Sequence, residues 1–241
     1  GACALFGLPA SGRAQVYAAL CRQLDKPLCI VTPGEAEATR FAADLNTLGI
    51  PAAVFPARDY VLRPIEGTAR EYEYRRLAVL GELVGGRLRA VAVPAEALTQ
   101  FTTPKEDFCA NTRTLHAGDT LLRDDLLAAL FGAGYTRRAQ VDGPGQFFVR
   151  GDIVDIFAPD QKMPVRMEFW GDEIDTLHTF DLTTQRREDA IDKFYLSPAR
   201  EVLFGKPADA AEQLRAFLAK QRGKKKTAMT DCMAADLDLL D

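Results

Sequence analysis

The hydrophobic period of this chain changes near Thr112, and that change limits the fold to two unlike parts in succession. Before it, short apolar runs alternate with amphipathic segments. Cys3 to Phe6 is a short apolar run, Arg13 to Leu24 carries Val16, Ala19, Leu20 and Leu24 at helical spacing, and Leu28 to Thr32 is apolar throughout. This is the rhythm of βαβ units in a parallel sheet. It continues through a helix from Glu35 to Leu48, a strand from Ala52 to Phe55, a helix near Glu71 to Leu83 and a strand from Arg89 to Val93. Gly49-Ile50-Pro51 and Gly85-Gly86 stop the two helices. An open, doubly wound half-domain is expected over residues 1–111.

Beyond Thr112 the pattern is mostly of period two. A strand at Arg113 to His116 and a helix at Arg123 to Leu130 lead into alternating segments. Gln146 to Phe157, Val165 to Trp170 and Glu173 to Phe180 read as antiparallel strands, and Asp142 to Gly145 and Ala158 to Pro164 read as turns. Gly171-Asp172 suits a two-residue hairpin. A smaller α+β domain over 112–198 is expected. From residue 199 the chain turns helical again, with a helix at Ala208 to Arg222 running into Lys224-Lys225-Lys226. A solvated helix end explains that cluster better than a nucleic-acid contact, because three charges are a weak footprint. Met229 to Asp241 reads as part of an element completed elsewhere.

Composition narrows the function. The chain has 241 residues, 47% of them hydrophobic and 27% charged, which is the balance of a globular protein able to bury its own core. A formal charge of −4 argues against a surface devoted to nucleic acid. The five cysteines are scattered with no C-x-x-C pair, and His116 and His178 are the only histidines. Reduced thiols in a cytoplasm are expected, with no metal site and no cofactor. No apolar run reaches the length of a membrane span, and no basic region marks the start as a signal peptide.

The segment Gly7-Leu-Pro-Ala-Ser-Gly12-Arg13-Ala14 has the glycine spacing of a P-loop between a strand and a helix. A working P-loop needs a lysine for the β and γ phosphates and a hydroxyl for Mg²⁺. Arg13 and Ala14 stand in those places, so neither this degenerate P-loop nor a plain tight turn predicts an ATPase. The two serines, Ser11 and Ser197, lie outside any nucleophile elbow. The acid pairs Asp124-Asp125 and Asp172-Glu173 sit where helix starts and turns commonly carry carboxylates.

A binding face is the stronger candidate. Alternation along Val165 to Trp170 turns Val165, Met167 and Phe169 inward and Arg166, Glu168 and Trp170 outward. Arg150 precedes a glycine, Gly151, that reads as a bulge or a close backbone approach. Trp and Arg are the types most enriched at binding hot spots. Two readings stay open here: Arg150, Arg166 and Trp170 form one outer patch, or Trp170 folds into a second layer while the arginines pair with Glu168 and Asp152.

The runs Gln146 to Pro159, Pro164 to Asp175 and Phe180 to Arg186 resemble the UvrB-homology module of bacterial transcription-repair coupling factors, a pattern shared with the helicase UvrB. The likeness covers about residues 1 to 200. Two departures favour the coupling factors over UvrB: the missing Lys and hydroxyl after Gly12, and a passage from Arg63 to Arg70 too short for a long aromatic hairpin. The resemblance implies a degenerate P-loop (RecA-like) parallel-sheet α/β domain split around an inserted smaller α+β domain with an antiparallel sheet. It also implies a non-catalytic adaptor that recruits UvrA through Arg150, Arg166 and Trp170, which favours the outer-patch reading. RNA polymerase, duplex DNA and ATP-driven translocation would belong to other modules of the full-length family members, whose C-terminal part can also pack on this face. The alternative is a nucleic-acid-binding or residual nucleotide-binding domain of a UvrB-like helicase.

Overall fold

The computed structural model describes residue 2 and residues 4–58 and 70–201. The expected helix at Ala208 to Arg222, the lysine cluster and the Arg63 to Arg70 passage fall wholly or mainly outside these residues. The first part is built on a three-stranded parallel sheet, β1 (Leu28–Thr32), β3 (Ala90–Pro94) and β2 (Ala52–Val54) in that spatial order. Helices α1 (Ala10–Gln23) and α2 (Glu35–Thr47) cover one face, where Ala18, Ile30, Phe41 and Leu45 are buried and Tyr17 meets Phe41 edge-on at 5.3 Å. On the other face Val91 and Val93 pack with Val79 of α3 (Glu71–Val84). Only β3 is buried on both sides, as a central parallel strand should be. Edge strand β1 turns Cys29 and Val31 outward.

The strand expected at Cys3 to Phe6 does not join this sheet: Ala4, Leu5 and Phe6 lie in no strand, and Phe6 is 90% exposed. A parallel strand needs a neighbour's ladder to satisfy its backbone. The short helices α4 (Ala95–Leu98) and α5 (Lys105–Ala110) then lead to β4 (Arg113–His116), which pairs with β11 (Lys193–Leu196) as an antiparallel ribbon. Between the two ribbon strands lie α6 (Arg123–Gly132) and a six-stranded sheet. Its strands are β5 (Thr136–Arg137), β6 (Gln146–Arg150), β7 (Ile153–Phe157), β8 (Val165–Trp170), β9 (Glu173–Phe180) and β10 (Arg187–Ala190), neighbours in sequence order. All pairs are antiparallel except β5 with β6.

The run Gln146 to Phe157 is therefore two strands, not one. Arg150 pairs with Ile153 across Gly151-Asp152, and Gly151 has φ of 59°, the left-handed value that glycine adopts without cost. The residue read as a bulge is a turn. Gly171-Asp172 makes the expected matching turn between β8 and β9, with Gly171 at φ of 64°. Because β6 to β9 form a meander, both Gly-Asp turns lie at the same end of the sheet.

Leu126 and Leu130 of α6 pack on one sheet face against Phe147, Val154, Met167 and Leu177. Within the antiparallel part, Tyr135 donates to the Ser197 carbonyl and Ser197 to Asp160, each at 2.7 Å. Burial pushes the Asp160 carboxyl up, and the Tyr135 hydroxyl well up, from their usual ranges. Arg76 of α3, fully buried, donates to Glu201 at 2.7 Å, to the Pro56 carbonyl at 2.8 Å and to Gln100 at 3.1 Å, with its guanidinium 4.0 Å over Phe55. Glu201 receives Arg58 as well, at 3.2 Å. No helix among the described residues is long and apolar enough to cross a membrane.

Candidate functional site

Strand register fixes what shares the sheet face opposite α6. Cross-strand pairing places Phe148, Asp155, Arg166 and His178 in one row, and Arg150, Ile153, Glu168 and Thr176 in the next, nearer the Gly-Asp turns. Trp170 ends this face, opposite Glu173. Val165, Met167 and Phe169 are buried at 2%, 0% and 6%, so the alternation read from sequence places Arg166, Glu168 and Trp170 on this outer face. Trp170 is 82% exposed and folds into no second layer. An exposed indole on a rigid strand end exposes large apolar area that burial against a partner would remove.

The three expected site residues share this face but differ in their surroundings. Arg150 is exposed and makes no ion pair with a described residue. Arg166 is mostly sequestered: Nε and Nη2 donate to the two carboxylate oxygens of Asp155 at 2.7 and 2.8 Å, and Nη1 reaches the Gln185 carbonyl at 3.3 Å. Its guanidinium lies 4.8 Å from the Phe180 ring centre. The bond to Asp155 holds the Arg166 pKa above its ordinary value, against the opposing effect of burial. Its partner is thus neither Glu168 nor Asp152: Glu168 pairs with Arg187, and Asp152 with Arg123 at 3.5 Å.

A cavity of about 370 Å³ opens between these groups, lined by Phe148, Arg150, Ile153, Asp155, Arg166 and Gln185 among others. Gln185 is the one non-glycine residue at positive φ among those described, at 58°, and its carbonyl is fixed by Arg166. The sequence reading missed Asp155, Phe148 and Gln185. Asp155 carried a signal, since a lone carboxylate inside the apolar run Ile153-Val-Asp-Ile-Phe157 needs a buried cation or donor.

The Gly7 to Ala14 segment has a different geometry from a phosphate cradle. Helix α1 starts at Ala10, so Gly12, Arg13 and Ala14 lie within it, and the Arg13 amide donates to the Pro9 carbonyl at 3.1 Å. Gly7 is at φ of 76°, Ala14 is 3% exposed, and Arg13 faces Glu37 at 3.5 Å. A cavity of about 340 Å³ lies beside Phe6, Leu8, Arg13 and Tyr17.

This antiparallel half has a defined kinship. Residues 114–202 match the family described as the UvrB interaction domain, which takes in all but the first residue of β4, with α6, the whole six-stranded sheet and β11. Over most of its length the chain is a homologue of transcription-repair-coupling factors. It is 28% identical to that of Bacillus subtilis over 226 residues, 92% of this chain and 19% of the relative. To that of Myxococcus xanthus it is 35% identical over 208 residues, 82% of this chain and 17% of the relative. The UvrABC system protein B of Chlorobium limicola is 28% identical over 226 residues, 88% of this chain and 32% of that protein. The chain thus spans under a fifth of the length of the two coupling factors named.

Proposed function

We propose that this chain is a non-catalytic recruiting module of a transcription-coupled repair protein, and that the outer face of its six-stranded sheet docks the excision-repair protein UvrA. The observation that carries this reading is Trp170, 82% exposed on the same sheet face as the exposed Arg150. Anchors of these types beside a cavity are what a protein hot spot requires. Arg166 contributes from the cavity wall, where its fixed guanidinium shapes the surface. The domain match and the coupling-factor relatives support the assignment.

The parallel-sheet part acts as scaffold in this reading, a degenerate RecA-like half with no nucleotide hydrolysis. Helix α1 already engages the Arg13 amide, which donates to the Pro9 carbonyl, and Ala14 offers no hydroxyl to a metal. Contacts with RNA polymerase and duplex DNA, and packing of a C-terminal domain on this face, belong to modules beyond this chain's match. Titration calorimetry against purified UvrA tests the docking. Trp170→Ala should weaken binding by about thirtyfold or more, roughly 2 kcal/mol, and Arg150→Ala by about tenfold, with unfolding midpoints unchanged. Wild-type affinity in both variants would remove the site from this face.

A further inference from the structure

The charges around Trp170 differ in sign from those around Arg150. Trp170 pairs directly with Glu173, and Asp172 sits in the turn between them. The neighbouring turn brings Asp152, whose side chain is 80% exposed and whose carbonyl accepts the Phe169 amide at 2.8 Å. Among the described residues, the one ion pair that these three carboxylates make is Asp152 with Arg123, at 3.5 Å. Glu168 is already neutralised by Arg187. Arg150 lies on β6, two strands away from β8, or about 10 Å at ordinary strand spacing. The indole therefore stands in a local negative field, and its own ring face is also electron-rich.

We infer that the Trp170 end of this face receives a basic side chain, an arginine or lysine of the docking protein, stacked on the indole and ringed by Asp152, Asp172 and Glu173. The inference rests on the docking reading above and adds the chemistry of its partner at one point. A purely apolar partner would desolvate three carboxylates without replacing their water. A phosphate backbone would be repelled by them. A guanidinium or ammonium gains both the ring and the carboxylates, and the resulting sign pattern, negative at Trp170 and positive at Arg150, fixes the orientation of the docked protein.

Trp170 is the chain's only tryptophan, so its fluorescence reports this spot alone. The whole chain is titrated at low salt with a tetra-arginine amide and, separately, with a tetra-glutamate peptide. The arginine peptide should change the emission saturably, and the isosteric triple change Asp152→Asn, Asp172→Asn, Glu173→Gln should weaken it about tenfold or more, while Arg150→Ala, which removes a repelling cation, should not weaken it. An equal response in the triple variant, no saturable response, or tighter binding of the glutamate peptide would overturn the inference. The same triple variant is then titrated with UvrA, where about tenfold weakening is expected. If Arg150→Ala and Trp170→Ala lose UvrA but the triple variant keeps it, the docking reading stands and the basic contact is wrong. If the arginine peptide responds as expected while wild type fails to bind UvrA, the cation site stands and the partner is wrong.

Discussion

Glu201→Ala costs the fold about 3–5 kcal/mol, read as a fall in the urea midpoint, because it leaves the Arg76 guanidinium buried without its counter-charge. Arg76 and Glu201 both have side chains at 0% exposure, so neither can turn to water. The Pro56 carbonyl and Gln100 remain as acceptors for Arg76, but neither is charged. The pair also bridges the two parts of the chain, since α3 belongs to the parallel sheet and Glu201 follows β11 by five residues, its amide donating to Glu73 at 2.9 Å. The loss should therefore appear as reduced cooperativity, with tertiary signals of the two parts separating on unfolding. A single transition shifted by less than about 1 kcal/mol would show that the pair is dispensable.

Arg166→Ala is the second large effect, about 3 kcal/mol of stability, for a reason unconnected with any partner. It leaves the Asp155 carboxylate, 2% exposed as a residue, with both oxygens unbonded. Asp155→Ala should cost less, since the longer Arg166 side chain can reach water through the cavity. Replacing both, as Asp155→Leu with Arg166→Met, should come close to neutral. Equal losses in the two single variants would contradict this. Any loss of UvrA binding in Arg166→Ala therefore mixes a lost contact with a reshaped face, whereas Arg150→Ala and Trp170→Ala report contact alone.

The legible part of this molecule was local. Strand β8 carries its own inside and outside in a strict alternation, which is enough to put Arg166 and Trp170 on one face. The β1, α2, α3 and β3 rhythm was equally plain, because buried parallel strands are apolar runs and amphipathic helices repeat at fixed spacing. What escaped was non-local. Arg76 and Glu201 are 125 residues apart, and no pattern within either segment names the other. Arg166 pairs with Asp155 only through the β7 and β8 register, set across the Ala158 to Pro164 connection, and reading Gln146 to Phe157 as one strand hid β7 as a strand of its own. Ala4 to Phe6 misled for the opposite reason, since apolar residues alone cannot supply a neighbouring strand.

The most direct test of docking through the outer face is fluorine NMR on chain carrying fluorotryptophan at its single tryptophan, recorded before and after adding unlabelled UvrA. Docking at this face predicts that the Trp170 resonance shifts or broadens at stoichiometric UvrA, and that Arg150→Ala delays the change to higher concentrations. A complex that forms by an independent measure while the Trp170 signal stays sharp and unmoved would show that UvrA binds elsewhere on the chain.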